Sequence, residues 1–305
     1  LIYNESMSSN PKEPIAIVWY KRDLRVHDHA PLSMAANSHN KGIKVLPLYV
    51  VEPDYWKLPD SSARHWRFIS HSLLELNQSL IKLGQGLLVE QGGMLQVLEK
   101  LAKHFNIVEL YSHQESGNLW TYQRDKDVTI WCLKNKIKWY EHEAFGVFRR
   151  FNDRDHWSYY WEKYMAREKS IAPALLTKIE SLDITFALPE LGLELLEDDE
   201  NDLLQKGGRS QGLQCFSSFI LERGKQYSYH MSSPLTAFNS CSRLSPHITF
   251  GTLSLREIVQ KLRKQVKKPE LNTTWQKSLR SFDSRLHWHC HFMQKLETEA
   301  LFETH

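Results

Sequence analysis

Between Ile15 and Glu143 the chain alternates five short apolar runs with four amphipathic stretches, and few folds accommodate that alternation. The runs are IAIVWY (15–20), KVLPLYVVE (44–52), LLVEQ (87–91), IVELYSH (107–113) and IKWYEHE (137–143). They are short and rich in β-branched and aromatic residues, as strands buried in a parallel sheet are. Helical patterns lie between them at 30–40, 62–83, 94–105 and 119–135. Right-handed crossovers then give an α/β fold, a doubly wound five-stranded parallel sheet of Rossmann-like type. Gly92-Gly93 lies between a strand and a helix and is a candidate close-approach site. No GxGxxG accompanies it, so a dinucleotide fingerprint is absent.

Beyond about residue 145 the pattern changes. FRRFNDRDHWSYYWEKYMARE is aromatic and charged, and PELGLELLEDDEND (189–202) holds seven acids and no base. Helical patterns resume at 210–227, 254–266 and 273–300. This divides the 305 residues into a loose polar tail (1–13), an α/β domain (14–143), an exposed inter-domain connector (144–204) and an all-helical region (205–305). From Lys206 onward there are 15 Lys/Arg against 7 Asp/Glu, a net of +8, whereas the remainder has 24 against 29. The C-terminal third is therefore suited to a polyanion, although a run such as KLRKQVKK (261–268) also reads as a solvated helix face. Four unpaired-looking cysteines (Cys132, Cys215, Cys241, Cys290) favour a reducing compartment. With no membrane-length apolar run and no secretory pattern at the start, the expected location is cytoplasmic. The leading Leu suggests a fragment, with Met7 a candidate initiator.

The segment SCSRLSPHITFGTLS (240–254) packs hydroxyls, one arginine, a proline and a glycine ahead of the helical LREIVQKLRK. Backbone N–H groups, hydroxyls and a guanidinium at a helix start suit a phosphate, and Ser and Thr also cap helices without any ligand. On the last helix, Asp283, His287 and His291 share one face at i, i+4 and i+8, with His289 and Cys290 beside them. That spacing suits zinc, but no further ligand with recognisable spacing is present, so no metal is expected.

VWYKRDLRVHDHAPL (18–32), GGRSQGLQCFSSFI (207–220) and SRLSPHITFGTLS (242–254), in this order, resemble the photolyase/cryptochrome flavoproteins, over a span from about Ile15 to about Glu297. The resemblance implies a divergent, bacterial-type member with an antenna-type α/β domain followed by part of a helical FAD-binding domain. Family members are longer, so it also implies that the chain stops inside the flavin domain. Tyr227 matches a tyrosine near the flavin phosphates or ribityl chain. Ser242, Arg243, Leu244 and Ser245 match the pyrophosphate turn, and Cys241 stands where Thr is common. Trp288 matches a tryptophan that packs on a flipped DNA lesion near the flavin. Arg285 stands where many repairing members carry a Glu, and His289 where an Arg is common. Arg223, Lys225, Arg280, Arg285 and His289 are implied DNA contacts. HQESGNLWTYQRD (113–125) falls where the family holds an antenna chromophore of folate or deazaflavin/lumazine type, and helix capping explains Ser116 to Asn118 as well. The implied function is light-driven, FAD-dependent repair of pyrimidine photoproducts in damaged DNA by a monomer. The alternatives are a cryptochrome-type photoreceptor and a flavin-free module.

Overall fold

The computed structural model describes residues 2–3, 11–37, 42–192 and 204–299. The elements follow the chain as β1 (Ile2–Tyr3), β2 (Pro14–Tyr20), α1 (Ala30–Asn37), β3 (Lys44–Val51), α2 (Pro53–Trp56), α3 (Ala63–Lys82), β4 (Leu88–Gln91), α4 (Met94–His104), β5 (Asn106–His113), α5 (Leu119–Lys134) and β6 (Lys138–His142). After these come α6 (Trp157–Ala166), β7 (Leu182–Asp183), α7 (Arg209–Leu221), α8 (Tyr227–His230), α9 (Pro234–Ser240), α10 (Ser245–Thr249), α11 (Leu255–Val266) and α12 (Thr273–Thr298). The five expected strands form one sheet in the order β4-β3-β2-β5-β6, every neighbouring pair parallel. The chain builds outward from β2 through β3 to β4, then crosses to β5 and β6, so strand order reverses between β2 and β5.

The pleat of β2 explains the two cores of this half. Ala16, Val18 and Tyr20 face Leu32 of α1 and Phe68, Leu73 and Leu76 of α3. Ile15, Ile17 and Trp19 face the other way, onto Met94, Val97, Leu98 and Leu101 of α4 and Val128 of α5. The α4 set recurs at i, i+3, i+4 and i+7, a narrow stripe turned to the sheet. Each such fully buried side chain contributes roughly 1.5–3 kcal/mol. Gly93 caps α4, its N–H held 3.1 Å from Gln96 Oε1, while Glu52 Oε1 takes the Met94 N–H at 3.2 Å. The glycine pair is thus a helix cap closed by the chain's own groups.

The expected connector departs from an exposed linker. Trp157, Trp161, Tyr164 and Met165 of α6, spaced i, i+4, i+7 and i+8, are buried with Phe216 and Phe219 of α7, Ile258 and Leu262 of α11, and Phe282 and Leu286 of α12. Leu176 and Ile179 are buried against the α/β half. The acidic run of this segment lies almost wholly outside the described residues. In the expected polar tail, β1 pairs antiparallel with β7.

One junction between the two halves is built on the loop after β2. The Leu24 N–H donates to the Phe250 carbonyl at 3.1 Å and Arg25 Nη1 to the Gly251 carbonyl at 3.0 Å. Asp28 accepts from Ser254 Oγ, the Arg256 guanidinium and the Ser170 N–H. Gly251 has φ 64°, and a Cβ there would sit 2.2 Å from the Arg22 carbonyl oxygen. The sequence segment 240–254 therefore contains two devices. Its first third is a turn, and its end docks the helical half onto the loop after β2.

Candidate functional site

The carboxyl ends of β2 and β5 carry most of the buried charge, because in a parallel sheet these ends open into the crevice where strand order reverses. Asp23, just past β2, accepts from His29 Nε2 at 2.8 Å and His113 Nδ1 at 2.7 Å through one oxygen, and from the Lys21 N–H at 2.8 Å through the other. His29 Nδ1 in turn accepts the Leu32 N–H at 3.1 Å, so its proton is on Nε2. Burial alone would raise the Asp23 carboxyl, but the two histidines hold it well below the usual range. Burial pushes His113 down to about 3, so it stays neutral. Among the described residues this trio is the one set of metal-type donors that comes together. Its hydrogen bonds already spend the donor atoms, and a protonated His29 Nε2 does not ligate a metal.

Beside it lies a cavity of about 190 Å³ between the halves, lined by Arg22, Asp23, His113, Tyr164, Arg256 and His289 among others. Deeper in the α/β half, Arg124 pairs with Glu52, Glu115 and Asp125 at 2.8, 2.6 and 2.9 Å. Lys21 joins Asp125 at 3.1 Å and Arg22 joins Glu115 at 3.1 Å. Burial would raise the Glu115 carboxyl, but Arg124 and Arg22 hold it below its ordinary value.

A second constellation lies in the helical half. Arg243 has φ 56° and Leu244 is right-handed, an alternation that turns successive N–H groups into one concavity able to hold an anion. The carbonyls of this turn point elsewhere and are paired. Arg223 donates to the carbonyls of Cys241 at 2.6 Å and Asn239 at 3.3 Å, the Cys215 thiol donates to that of Ser242 at 3.1 Å, and Gln205 Nε2 donates to that of Arg243. Ser245 is exposed, Ser242 half-buried, and Leu244 is fully buried in the core. Tyr227 is buried on Phe219 and Phe282, near enough to Cys241 and Arg285 for both to act on its hydroxyl, and burial raises its pKa. Along α12, Lys277, Arg280, Ser284, Arg285, Trp288 and Phe292 form one exposed row. Trp288 is 51% exposed, with the Arg285 guanidinium 5.9 Å from its ring.

A DNA photolyase family model matches residues 16–150. The chain is 27% identical over 268 residues to a Cryptochrome DASH of Gloeobacter violaceus, which covers 79% of this chain and 52% of that protein. Residues 16–150 are a DNA photolyase family domain, and the chain as a whole is similar to photolyase/cryptochrome proteins. It is also 23% identical over 277 residues to the deoxyribodipyrimidine photo-lyase of Salmonella typhimurium, with coverage of 82% and 54%. The crystal structure of a Synechocystis cryptochrome superposes with a TM-score of 0.79 at 23% identity, over 96% of this chain and 64% of that one. The chain thus spans about half the length of the curated relatives it matches.

Set against the residues that the family resemblance implied, the structure divides them. The 241–245 turn has a backbone alternation and an exposed Ser245 hydroxyl of the kind that suits a phosphate, with the Leu244 N–H donating to Ser242 Oγ at 3.4 Å, while the Leu244 side chain is sealed in the core. Lys225, Arg280 and Arg285 are exposed, Lys225 lying 4.9 Å over the Trp275 ring. Arg223 belongs elsewhere: its guanidinium is spent on the turn's carbonyls and on Ser218 Oγ at 3.0 Å, so it is a brace rather than a DNA contact. His289 points away from Trp288's row and lines the inter-domain cavity beside Phe145, where burial lowers its pKa. The zinc alternative dissolves. Asp283 pairs with Arg263 at 2.9 Å, His287 bonds Ser158 Oγ at 3.1 Å, and His291 packs on Trp157 at 5.4 Å. The resemblance marks 113–125, which holds His113, Glu115, Arg124 and Asp125, as an antenna segment, but their meeting with Asp23, Lys21 and Glu52 went unseen in the sequence. Their one signal there is a charged residue at the end of almost every strand.

Proposed function

We propose that the protein carrying this chain is a blue-light-driven, FAD-dependent photolyase acting on pyrimidine photoproducts in DNA. The observation that carries this reading is the placing of the 241–245 turn, whose backbone alternation suits an anion, beside the basic and aromatic row of α12, with Tyr227 between Cys241 and Arg285. Reduced flavin, when bound, supplies the electron that splits a photoproduct. The chain's own residues bind and orient. The N–H concavity at Arg243 and Leu244, with Ser242 and Ser245, would hold the pyrophosphate. Tyr227 would border it, with Cys241 at its edge. Lys225, Arg280 and Arg285 neutralise backbone phosphates, which positions a duplex without reading its sequence. The exposed indole of Trp288 offers a stacking surface for an extruded base, whatever its identity. The inter-domain cavity is the candidate place for an antenna chromophore.

One observation favours a second reading, a cryptochrome-type photoreceptor with the same flavin site. Arg285, beside Trp288, is a donor only and cannot accept a hydrogen bond from a lesion base as a carboxylate would. Two measurements on the full-length gene product separate these readings. A flavin absorption spectrum is expected, and its absence sinks both. Light-dependent repair of an oligonucleotide with one defined photoproduct supports the enzyme, and flavin without repair supports the photoreceptor. In the same protein Trp288→Ala should weaken lesion binding by about 1–3 kcal/mol while sparing undamaged DNA. Equal losses on both DNAs would remove Trp288 from the lesion site.

A further inference from the structure

Doubly wound sheets hold ligands in the crevice at the carboxyl ends of the strands where the order reverses, here β2 and β5. In this chain the protein fills that crevice itself. The Arg124 guanidinium, carried by α5, lies 4.7 Å from the Trp19 ring and 5.7 Å from the Trp120 ring. Three carboxylates fix it there, Glu52, Glu115 and Asp125. Lys21 Nζ lies 4.6 Å over the same Trp19 ring and is tied to Asp125. Arg22 spans the mouth between Glu115 and the Tyr55 hydroxyl, at 3.1 and 2.9 Å. The space left among Trp19, Tyr49, Glu52, Tyr55, Ile69 and Arg124 is about 40 Å³, which admits roughly two or three waters and no ring system.

We infer that Arg124 is the residue that decides ligand occupancy of the α/β half, and that it excludes a flat heteroaromatic chromophore from this crevice. A planar guanidinium stacked on Trp19 takes the face such a ring would need. Its displacement would leave Glu52 buried without its counter-charge and would take one each from Glu115 and Asp125, which keep Arg22 and Lys21, a loss that ring stacking does not offset. Only the identity of the excluded ligand, a flavin or deazaflavin, rests on the function proposed above. An antenna carried by this protein is therefore held outside the crevice.

Riboflavin and FMN are the probes, titrated into the protein while tryptophan fluorescence and the induced circular dichroism of the flavin band are followed. Wild type and Ile69→Phe, which fills the remaining space, should give superimposable curves. Arg124→Ala combined with Glu52→Gln and Glu115→Gln should bind riboflavin at least about tenfold more tightly. Flavin binding that survives Ile69→Phe and is lost in Ser242→Ala/Ser245→Ala supports the inference, because it locates the flavin at the turn. Wild-type binding that Ile69→Phe abolishes overturns it, and this leaves the flavin turn untouched. So does a triple variant that keeps its far-ultraviolet spectrum and gains no affinity. Should the triple variant unfold, the comparison of wild type with Ile69→Phe decides alone.

Discussion

Asp28 sits at φ 51°, its carboxylate shared between Ser254 Oγ, the Arg256 guanidinium and the Ser170 N–H. Burial would raise its pKa, but the bonds from Arg256 and Ser254 bring it down to about 2. An unfolded aspartate titrates near 3.9, so this group's stabilisation is complete above about pH 4 and is lost as pH falls towards 2. The difference is worth about 2–3 kcal/mol. Asp28→Ala should therefore cost about 3–5 kcal/mol at pH 7 and flatten the acid limb of a urea-denaturation series below pH 4. An unchanged acid limb would show that Asp28 is not the inter-domain bolt. Arg223 and Arg285 carry the same charge and differ in what they touch. Arg285→Ala should lower the salt slope of DNA binding by about 1. Arg223→Gln should leave the slope alone and lower the melting temperature, because it frees the turn's carbonyls. The sequence gives the two arginines one chemistry, and only the carbonyls folded around Arg223 distinguish them.

At the scale of elements, the strands are legible to within about two residues at each end. Burial on a sheet demands apolar side chains locally, and the chain supplies them. Helix α6 carried the same kind of signal. Its Trp157, Trp161, Tyr164 and Met165 stripe has helical period, yet the charged residues between made it read as a connector. The segment 240–254 could not be resolved into turn and dock from residue types alone. Gly251 tests the dock. Gly251→Ala should cost at least about 2–3 kcal/mol in urea, since a left-handed residue there also meets the Arg22 carbonyl. Gly42→Ala, also left-handed at φ 72° but facing open space, should cost only about 1–2 kcal/mol. Equal costs at the two sites would mean that the halves do not meet at Gly251.

For the whole molecule, the buried histidines set the response to acid. Burial lowers His113 to about 3 and His247 to about 4, and it also lowers His29 and His289. A histidine kept neutral in the fold but titrating near 6.5 when unfolded stabilises fully above that value, and its contribution falls as pH drops. The melting temperature should therefore begin to fall below about pH 6.5. His113→Asn should reduce that early fall, and a profile flat down to pH 5 would contradict the buried neutral state. Among the described residues no helix is long and apolar enough to cross a membrane. The sequence by itself determined the sheet, the order of its segments and the polar turn, because periodicity and turn chemistry act between near neighbours in the chain. The tertiary structure alone decided which charges meet. Asp28 finds Arg256 across 228 residues and Asp23 finds His113 across 90. Pairings at such separations are fixed by how two packed halves close on each other, and residue types do not encode that locally. Hence a polar turn ahead of a helix could be read from residues 240–254, whereas the brace at Arg223 and the filled crevice at Arg124 could not.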